Sequence, residues 1–399
     1  MALDIGVFTS QYPYPGQFDS GLHRDYFCSG AERVAKRIAE YLASEGHRVH
    51  AFTSSKTSAS TVETQNGVSV RRYGSVSSFR SATMSHGLVY RPLGHDLDVV
   101  HVHNGMPTGV VAGHLYSKIN GVPAVVTHHG GDGYEPTGGL VRRGGLYLYY
   151  SHIYRRVLAA CEAVTVPSEG YVQRSELLSG LTDRVSVIPN GVDLESFGET
   201  DERHARERLD LPTDAFVVLF MGSHRKRKGP QILLDAFEAF RADHPQSVLI
   251  MAGTGPLTEQ LREMAASRGL PVRFPGFVPE RQKSRYYAAA DVYALPSPRE
   301  QSEVFPLSIL EAGACSTPVV VSDLRTIRSV VEGYDNPIRV PPGDVEALAD
   351  TLRDLASSER RRDRCASEIH DFARDHRWSE IGDQYETLLT SLATPTSRR

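Results

Sequence analysis

The chain has 399 residues, with 44 Lys plus Arg against 48 Asp plus Glu and a formal charge of −4. That length exceeds what one hydrophobic core usually serves, so two domains are expected, and the charge balance supplies no global basic field of the kind that gathers nucleic acid. Four cysteines, Cys28, Cys161, Cys315 and Cys365, stand far apart without a C-x-x-C pair, which argues against a disulfide framework or a zinc site.

From the first strand onward, short apolar runs alternate with amphipathic stretches, the pattern of a parallel sheet covered by helices, so the fold class is α/β. Strands are expected at Ile5–Phe8, Val49–Thr53, Val99–Val102, Ala124–Thr127, Val164–Val166 and Val185–Ile188. A helix over Ala31–Ser44 carries Val34, Ile38, Tyr41 and Leu42 on one stripe and stops at Gly46. The second half repeats the scheme with Val217–Met221, Val248–Ala252, Val292–Leu295 and Val319–Val321. The boundary is placed near Phe197, after Asn190-Gly191-Val192-Asp193 and before the charged stretch Glu199–Arg208, giving domains 1–196 and 197–375. Two doubly wound, Rossmann-like domains joined in this way are expected to face a central cleft lined by the C-terminal ends of both sheets. The tail from Ala393 to Arg399 lacks a large apolar anchor and is expected to be disordered.

The opening strand has no basic segment and apolar run of a signal peptide, and no stretch nears the roughly 20 apolar residues that span a bilayer. A cytoplasmic protein follows, with any membrane contact peripheral, at the inner face. One region speaks for such contact. Arg142-Arg143, Leu146-Tyr147-Leu148-Tyr149-Tyr150 and Arg155-Arg156 mix basic and aromatic side chains that suit an anionic surface, although a core helix with solvated arginines reads the same way.

Candidate chemistry sits at strand ends. Gly30, after the long polar loop Thr9–Ser29, starts a helix where backbone and ligand can approach closely. His101 and His103 close one strand, and His128-His129-Gly130-Gly131-Asp132 follows another, so His129 can donate to a sugar hydroxyl and Asp132 can accept. H-x-H on a strand places both rings on one face without the tetrahedral set zinc prefers. Gly222-Ser223-His224-Arg225-Lys226-Arg227-Lys228-Gly229 brings positive charge between a strand and a helix, suited to a diphosphate, though a solvated basic loop has the same composition. Gly253-Thr254-Gly255-Pro256 is a second tight turn, and Phe274-Pro275-Gly276-Phe277-Val278-Pro279 offers backbone groups and an apolar wall to a base.

The densest signal is Glu303-Val304-Phe305-Pro306-Leu307-Ser308-Ile309-Leu310-Glu311. Pro306 suits a first helical turn, which leaves the N–H groups of Leu307 and Ser308 free for an anion. Glu303 before the helix and Glu311 two turns inside it, roughly 12 Å apart at helical rise, can accept hydroxyls on either side of a bound diphosphate.

In order and spacing, Lys228-Gly229, Asn190-Gly191-Val192-Asp193, Gly253–Pro256 and Glu303–Glu311 with Ala312-Gly313-Ala314 resemble the GT-B glycosyltransferases of family 4, over nearly the whole chain. The resemblance implies a retaining transfer of a hexose from a nucleoside diphosphate sugar, UDP- or GDP-linked, to a hydroxyl acceptor such as a lipid-linked or cell-surface glycan, in glycan biosynthesis. Glu311 would hold the ribose and Glu303 the donor sugar. Lys228, with Arg225, Arg227 and the Leu307 and Ser308 amides, would bind the diphosphate; His129 would touch the sugar, and Gly30 the donor phosphates. Ser223, Gly255, Val278 and Phe305 complete the expected donor site, and the terminal helix 376–392 would pack back on the first domain. The chain departs from the family at Ser223, where Arg is frequent, at Pro306, where glycine is frequent, and at Ser29, where a second glycine is usual. Asp96-Leu97-Asp98 matches the D-x-D of metal-dependent transferases of another fold but precedes a strand, so no essential metal or other cofactor is expected. A nucleotide-sugar epimerase of the same plan and a non-catalytic nucleotide-binding subunit remain as alternatives.

Overall fold

The structure is a computed structural model that describes residues 1–20, 26, 28–79, 82–130, 140–197 and 200–393. Gly131, Asp132 and the tail from 394 lie outside them. The chain divides into two compact units, Met1–Asn190 with Trp378–Arg399 (unit 1) and Gly191–Arg377 (unit 2). The division therefore falls at Asn190/Gly191, not at 196/197, because Val192 and the helix Leu194–Phe197 bury their apolar side chains in the second core.

Unit 1 is built on β1 (Asp4–Phe8), β2 (Arg48–Ser54), β3 (Thr61–Gln65), β4 (Val68–Tyr73), β5 (Ser77–Phe79), β6 (Ala82–Met84), β7 (Val99–His103), β8 (Ala124–Thr127), β9 (Ala163–Val166) and β10 (Val185–Val187). Eight of them form one sheet in the order β10-β9-β8-β7-β1-β2-β4-β3, and β5 pairs with β6 separately. All neighbours in the large sheet are parallel except β3 on β4. β7, β8 and β9 are buried along their whole length, as continuous apolar strands covered on both faces must be.

The hairpin β3–β4 was not expected, yet its signal is present: Asn66 (φ 45°) and Gly67 (φ 82°) form the turn between two alternating runs. The helix Gly30–Ser44 is fixed at its start by a capping box, in which Ser29 and Glu32 exchange side-chain and backbone hydrogen bonds. Against it lies the helix Trp378–Leu392, which buries Ile381, Gly382, Tyr385 and Leu389. Tyr41 hydrogen-bonds Asp383, and a Cβ on Gly382 would come within 2.2 Å of the Tyr41 ring. His47 accepts from Leu3 N at Nδ1 (3.1 Å), so its Nε2 carries the proton donated to Glu386 (3.1 Å).

Unit 2 carries β11 (Val217–Met221), β12 (Val248–Ala252), β13 (Val272–Gly276), β14 (Val292–Leu295), β15 (Val319–Ser322) and β16 (Ile338–Val340), all parallel, in the order β13-β12-β11-β14-β15-β16. β13 takes in the first half of the segment Phe274–Pro279, which was not among the strands expected from the sequence. Pro275 is tolerated there because the strand is an edge. Among the parallel strands of each sheet the order reverses once, between β1 and β7 in unit 1 and between β11 and β14 in unit 2. Ligands of open α/β sheets bind outside the carboxyl ends of strands at such reversals.

Candidate active site

At the reversal in unit 2, β11 runs into Gly222-Ser223, a 3-10 turn over Lys226–Lys228, Gly229 and the helix Pro230–Arg241. Gly229 has φ 70°, and a Cβ there would lie 1.9 Å from the carbonyl oxygen of Pro296, just past β14. Only glycine lets the two loops press together in this way. Their closeness sets Lys228 beside Glu303: Nζ lies 2.6 Å from Oε1 and 2.7 Å from Oε2. Ser297 Oγ donates to Glu303 Oε1 (2.7 Å), Thr326 Oγ1 donates to the Glu303 carbonyl (3.1 Å), and Arg227 Nη1 donates to the Ser302 carbonyl (3.1 Å). Burial pushes the Lys228 ammonium below its ordinary range; Glu303 opposes that shift and Arg227 adds to it. A cation held in this way is partly desolvated and oriented before any anion arrives, which is what stabilisation of a leaving diphosphate needs.

The second carboxylate is placed differently from the expectation. Pro306 is the N-cap of the helix Leu307–Ala314 and not part of its first turn, with φ −69° and ψ 122°. Glu303 lies in extended backbone (φ −131°, ψ 146°), and Glu311 stands one turn inside the helix, not two. Leu307 and Ser308 remain the first helical residues, whose amides have no acceptor within the helix. Glu311 is buried, receives Lys283 Nζ at 2.7 Å and accepts from the Tyr287 hydroxyl at 3.0 Å. Burial, with Glu311 next, drives the Tyr287 phenol well above its ordinary pKa, so it is a donor at neutral pH.

The remaining residues of the expected donor site separate. Ser223 Oγ is buried without a hydrogen-bond partner among the described residues, while Arg225 is exposed. Gly255 presses on the backbone of His224, where a Cβ would meet its carbonyl oxygen at 2.5 Å, and Gly253 presses on Gly222 in the same way. The smallness of these glycines thus serves loop packing. Val278 is buried in the core of unit 2. Phe305 also turns inward, its ring 6.3 Å from Phe372 and 5.7 Å from His376, so of this residue only the backbone is left to meet a ligand.

In unit 1, Gly30 is exposed as the first residue of its helix. His129 follows β8, and Asn104 at the end of β7 holds it: His129 N donates to Asn104 Oδ1 (2.6 Å), and Asn104 Nδ2 reaches the Gly130 carbonyl (2.8 Å) and His128 Nδ1 (3.0 Å). His128 is wholly buried between the hydroxyls of Tyr154 (2.7 Å) and Tyr171 (3.1 Å). His103 Nδ1 meets His129 Nε2 at 3.0 Å, and His101 Nε2 meets Thr127 Oγ1 at 2.7 Å. Burial lowers the pKa of His129 and of His101 to about 3, so both rings are neutral at pH 7. Asp98 of the D-x-D accepts from Asp4 N (2.8 Å), a structural role at the start of β1.

Lys283, Tyr287, Ser297 and Asn104 were not singled out in the sequence. Lys283 and Tyr287 stand one turn apart on the helix Glu280–Ala288 and share Glu311, a pairing that i, i+4 spacing admits but does not announce. A separate depression in unit 2 is lined by Arg206, Asp243, Asp291 and Arg362. There Arg206 is spent on the Thr213, Ala215 and Ala289 carbonyls and on Asp291.

A profile of glycosyltransferase family 4 matches residues 28–196, and one of glycosyl transferases group 1 matches 201–371. The chain is thus a GT-B glycosyltransferase, two Rossmann-like α/β sheets in one polypeptide. Within that class it belongs to family 4, with a group 1 carboxy-terminal half. The D-inositol 3-phosphate glycosyltransferase of Xylanimonas cellulosilytica is 29% identical over 99% of this chain and 97% of its own length. The phosphatidyl-myo-inositol mannosyltransferase of Mycobacterium tuberculosis is 29% identical over 91% of this chain and 94% of its own. Among solved structures, sucrose-phosphate synthase from Thermosynechococcus elongatus shares the fold at TM-score 0.76 and 20% identity, covering 97% of this chain and 98% of that one. HepE of Anabaena, solved with UDP-glucose, gives 0.75 and 20%, covering 98% and 100%.

Proposed function

We propose that the protein moves a hexose from a nucleoside diphosphate sugar to a hydroxyl of an inositol-type acceptor, with retention at the anomeric carbon. One observation carries this reading: the pair of half-buried Lys228 with buried Glu303 at the strand-order reversal of unit 2, next to the helix start at Leu307 and Ser308. Lys228 and the two amides take the diphosphate, Glu311 the ribose hydroxyls and Glu303 the hexose, while His129 and Gly30 take the sugar- and phosphate-facing roles in unit 1. The bond from the anomeric carbon to the diphosphate oxygen breaks, the acceptor oxygen bonds to that carbon on the same face, and the acceptor proton passes to the departing phosphate. Lys228 and the helix start stabilise the negative charge that grows on the leaving group. No metal is assigned to this step. The inositol acceptors of the named relatives and the UDP-glucose of HepE support the choice of substrates.

Release of UDP or GDP from UDP-glucose, UDP-N-acetylglucosamine and GDP-mannose, with inositol 3-phosphate or phosphatidylinositol as acceptor, tests the reading. Acceptor-dependent release that survives a chelator, with a product of unchanged anomeric configuration, is expected. Interconversion of donor sugars without acceptor, or an inverted product, contradicts it.

A lipid-carried acceptor would be met at a membrane. No helix among the described residues is long and apolar enough to cross one, but Tyr147, Leu148 and Ile153 are exposed beside exposed Arg143, Arg155 and Arg156. Residues 140–161 hold no carboxylate. We assign this face to peripheral contact with anionic lipid. Co-sedimentation with vesicles containing phosphatidylglycerol, reduced by Leu148→Asp and by added salt, is the expected result; a protein that stays in the supernatant contradicts the contact.

A further inference from the structure

The two rings of His103 and His129 are nearly coplanar, 16° apart, with centroids 5.3 Å apart and His103 Nδ1 3.0 Å from His129 Nε2. The centroid separation exceeds the N···N distance by about one ring width, so this is an in-plane, edge-to-edge hydrogen bond and not a stack. Both imidazoles are neutral, because burial holds His103 well below the ordinary range and His129 at about 3. One nitrogen therefore donates and the other accepts, and two assignments are possible.

If His129 Nε2–H donated, His103 would have to carry its own proton on Nε2. That atom is buried and has no hydrogen-bond partner among the described residues. Either form left unpaired there forfeits its solvation, but orphaned buried N–H groups are rarer in folded proteins than under-satisfied acceptors, which favours the bare lone pair. The favoured arrangement places the His103 proton on Nδ1, donated to His129, and leaves Nε2 bare. His101, tilted against His103 with centroids 4.2 Å apart, likewise has a buried, unpartnered Nδ1 while its Nε2 meets Thr127.

We propose that His103 is a positioning residue that fixes His129 as the tautomer protonated on Nδ1, so that His129 offers its substrate an N–H donor and not a lone pair. This rests on the proposed function for the identity of that substrate, the hexose of the donor. No partner among the described residues occupies His129 Nδ1. A sugar hydroxyl or a phosphate oxygen is an acceptor such an N–H can serve, and the opposite tautomer would offer the phosphate only repulsion between lone pairs.

The test is long-range proton–nitrogen correlation on protein labelled with 15N-histidine, with the His129 signals assigned by their loss in His129→Gln. The expected pattern at pH 7.5 is protonated Nδ1 and bare Nε2; protonated Nε2 overturns the proposal whatever the activity. Kinetics give the second reading. His103→Leu should lower kcat/KM roughly tenfold to a hundredfold. His103→Asn, whose amide stands where Nδ1–H stood, should restore the rate to within about threefold and keep the His129 pattern. Equal losses in the two variants, with both folded by circular dichroism, would mean that packing and not donation matters and would overturn it. Full turnover by His129→Ala, with the Nδ1 pattern found in the wild type, would instead remove the sugar-facing role from the proposed function, leaving the tautomer assignment standing.

Discussion

Lys228 Nζ touches both carboxylate oxygens of Glu303, at 2.6 and 2.7 Å, although the two residues are 75 apart in sequence. Removing one partner of a buried pair strands the other and costs about 3–5 kcal/mol, while removing both costs far less. Lys228→Ala is therefore expected to lower the melting temperature and abolish transfer. The double variant Lys228→Ala/Glu303→Ala should regain most of the stability and none of the activity. Thermal melts and product release on the same preparations check both; recovery of activity in the double variant would mean the pair only holds the fold.

Glu311 is held by Lys283 and Tyr287 within unit 2. If it accepts ribose hydroxyls, Glu311→Gln should raise KM for the nucleotide sugar on the order of tenfold to a hundredfold, with a smaller change in kcat. Tyr287→Phe, which removes only a supporting hydrogen bond, should cost less. Steady-state kinetics with varied donor distinguish them, and an unaltered KM in Glu311→Gln counts against the ribose role.

Gly229 and Gly121 both adopt left-handed backbone, at φ 70° and 65°, but only Gly229 faces an obstacle, the Pro296 carbonyl at 1.9 Å from its missing Cβ. Gly121→Ala should cost only the backbone penalty, about 1 kcal/mol. Gly229→Ala should cost about 3 kcal/mol or more, because the β11 and β14 loops must separate, and should reduce transfer as well. Chemical denaturation of the two variants measures the difference.

Buried histidines make the protein acid-sensitive. Burial lowers His101 to about 3 and His224 to about 4, and both side chains are fully buried. The unfolded chain therefore binds protons more readily than the folded one below the unfolded value near 6.5. Stability from these groups is complete above pH 7 and is lost as pH falls, by on the order of 1.4 kcal/mol per pH unit for each ring until the folded pKa is reached. Melting temperature should be flat above pH 7 and decline below about 6. His224→Asn, which can keep the Thr258 contact (3.0 Å in the native ring), should make the decline shallower; an unchanged slope would contradict the assignment.

Much of the scaffold was legible because its central strands are fully buried and therefore continuously apolar: Val217–Met221, Val248–Ala252 and Val292–Leu295 appear with the expected limits. The edges were not. β13 contains a proline and is only half-buried, and β3 exposes most of its side chains, so neither produced an apolar run. Glu303, Glu311 and Lys228 were singled out in the sequence, but not their pairing: Lys228 with Glu303 and Lys283 with Glu311 are tertiary contacts between segments whose spacing along the chain carries no trace of them. The start of the helix after Pro306 was misjudged because the proline ring fixes φ but leaves ψ free, and Pro306 takes an extended ψ of 122° that caps the helix instead of entering it.

Calorimetric titration of UDP and GDP into the wild type and into Lys228→Ala/Glu303→Ala tests the central claim most directly. The account expects at least one diphosphate to bind the wild type and to bind the double variant at least about tenfold more weakly, since each tenfold is about 1.4 kcal/mol of lost charge and hydrogen-bond contact. Equal affinity in both proteins, or no binding of either nucleotide by the wild type, would contradict a diphosphate site at Lys228.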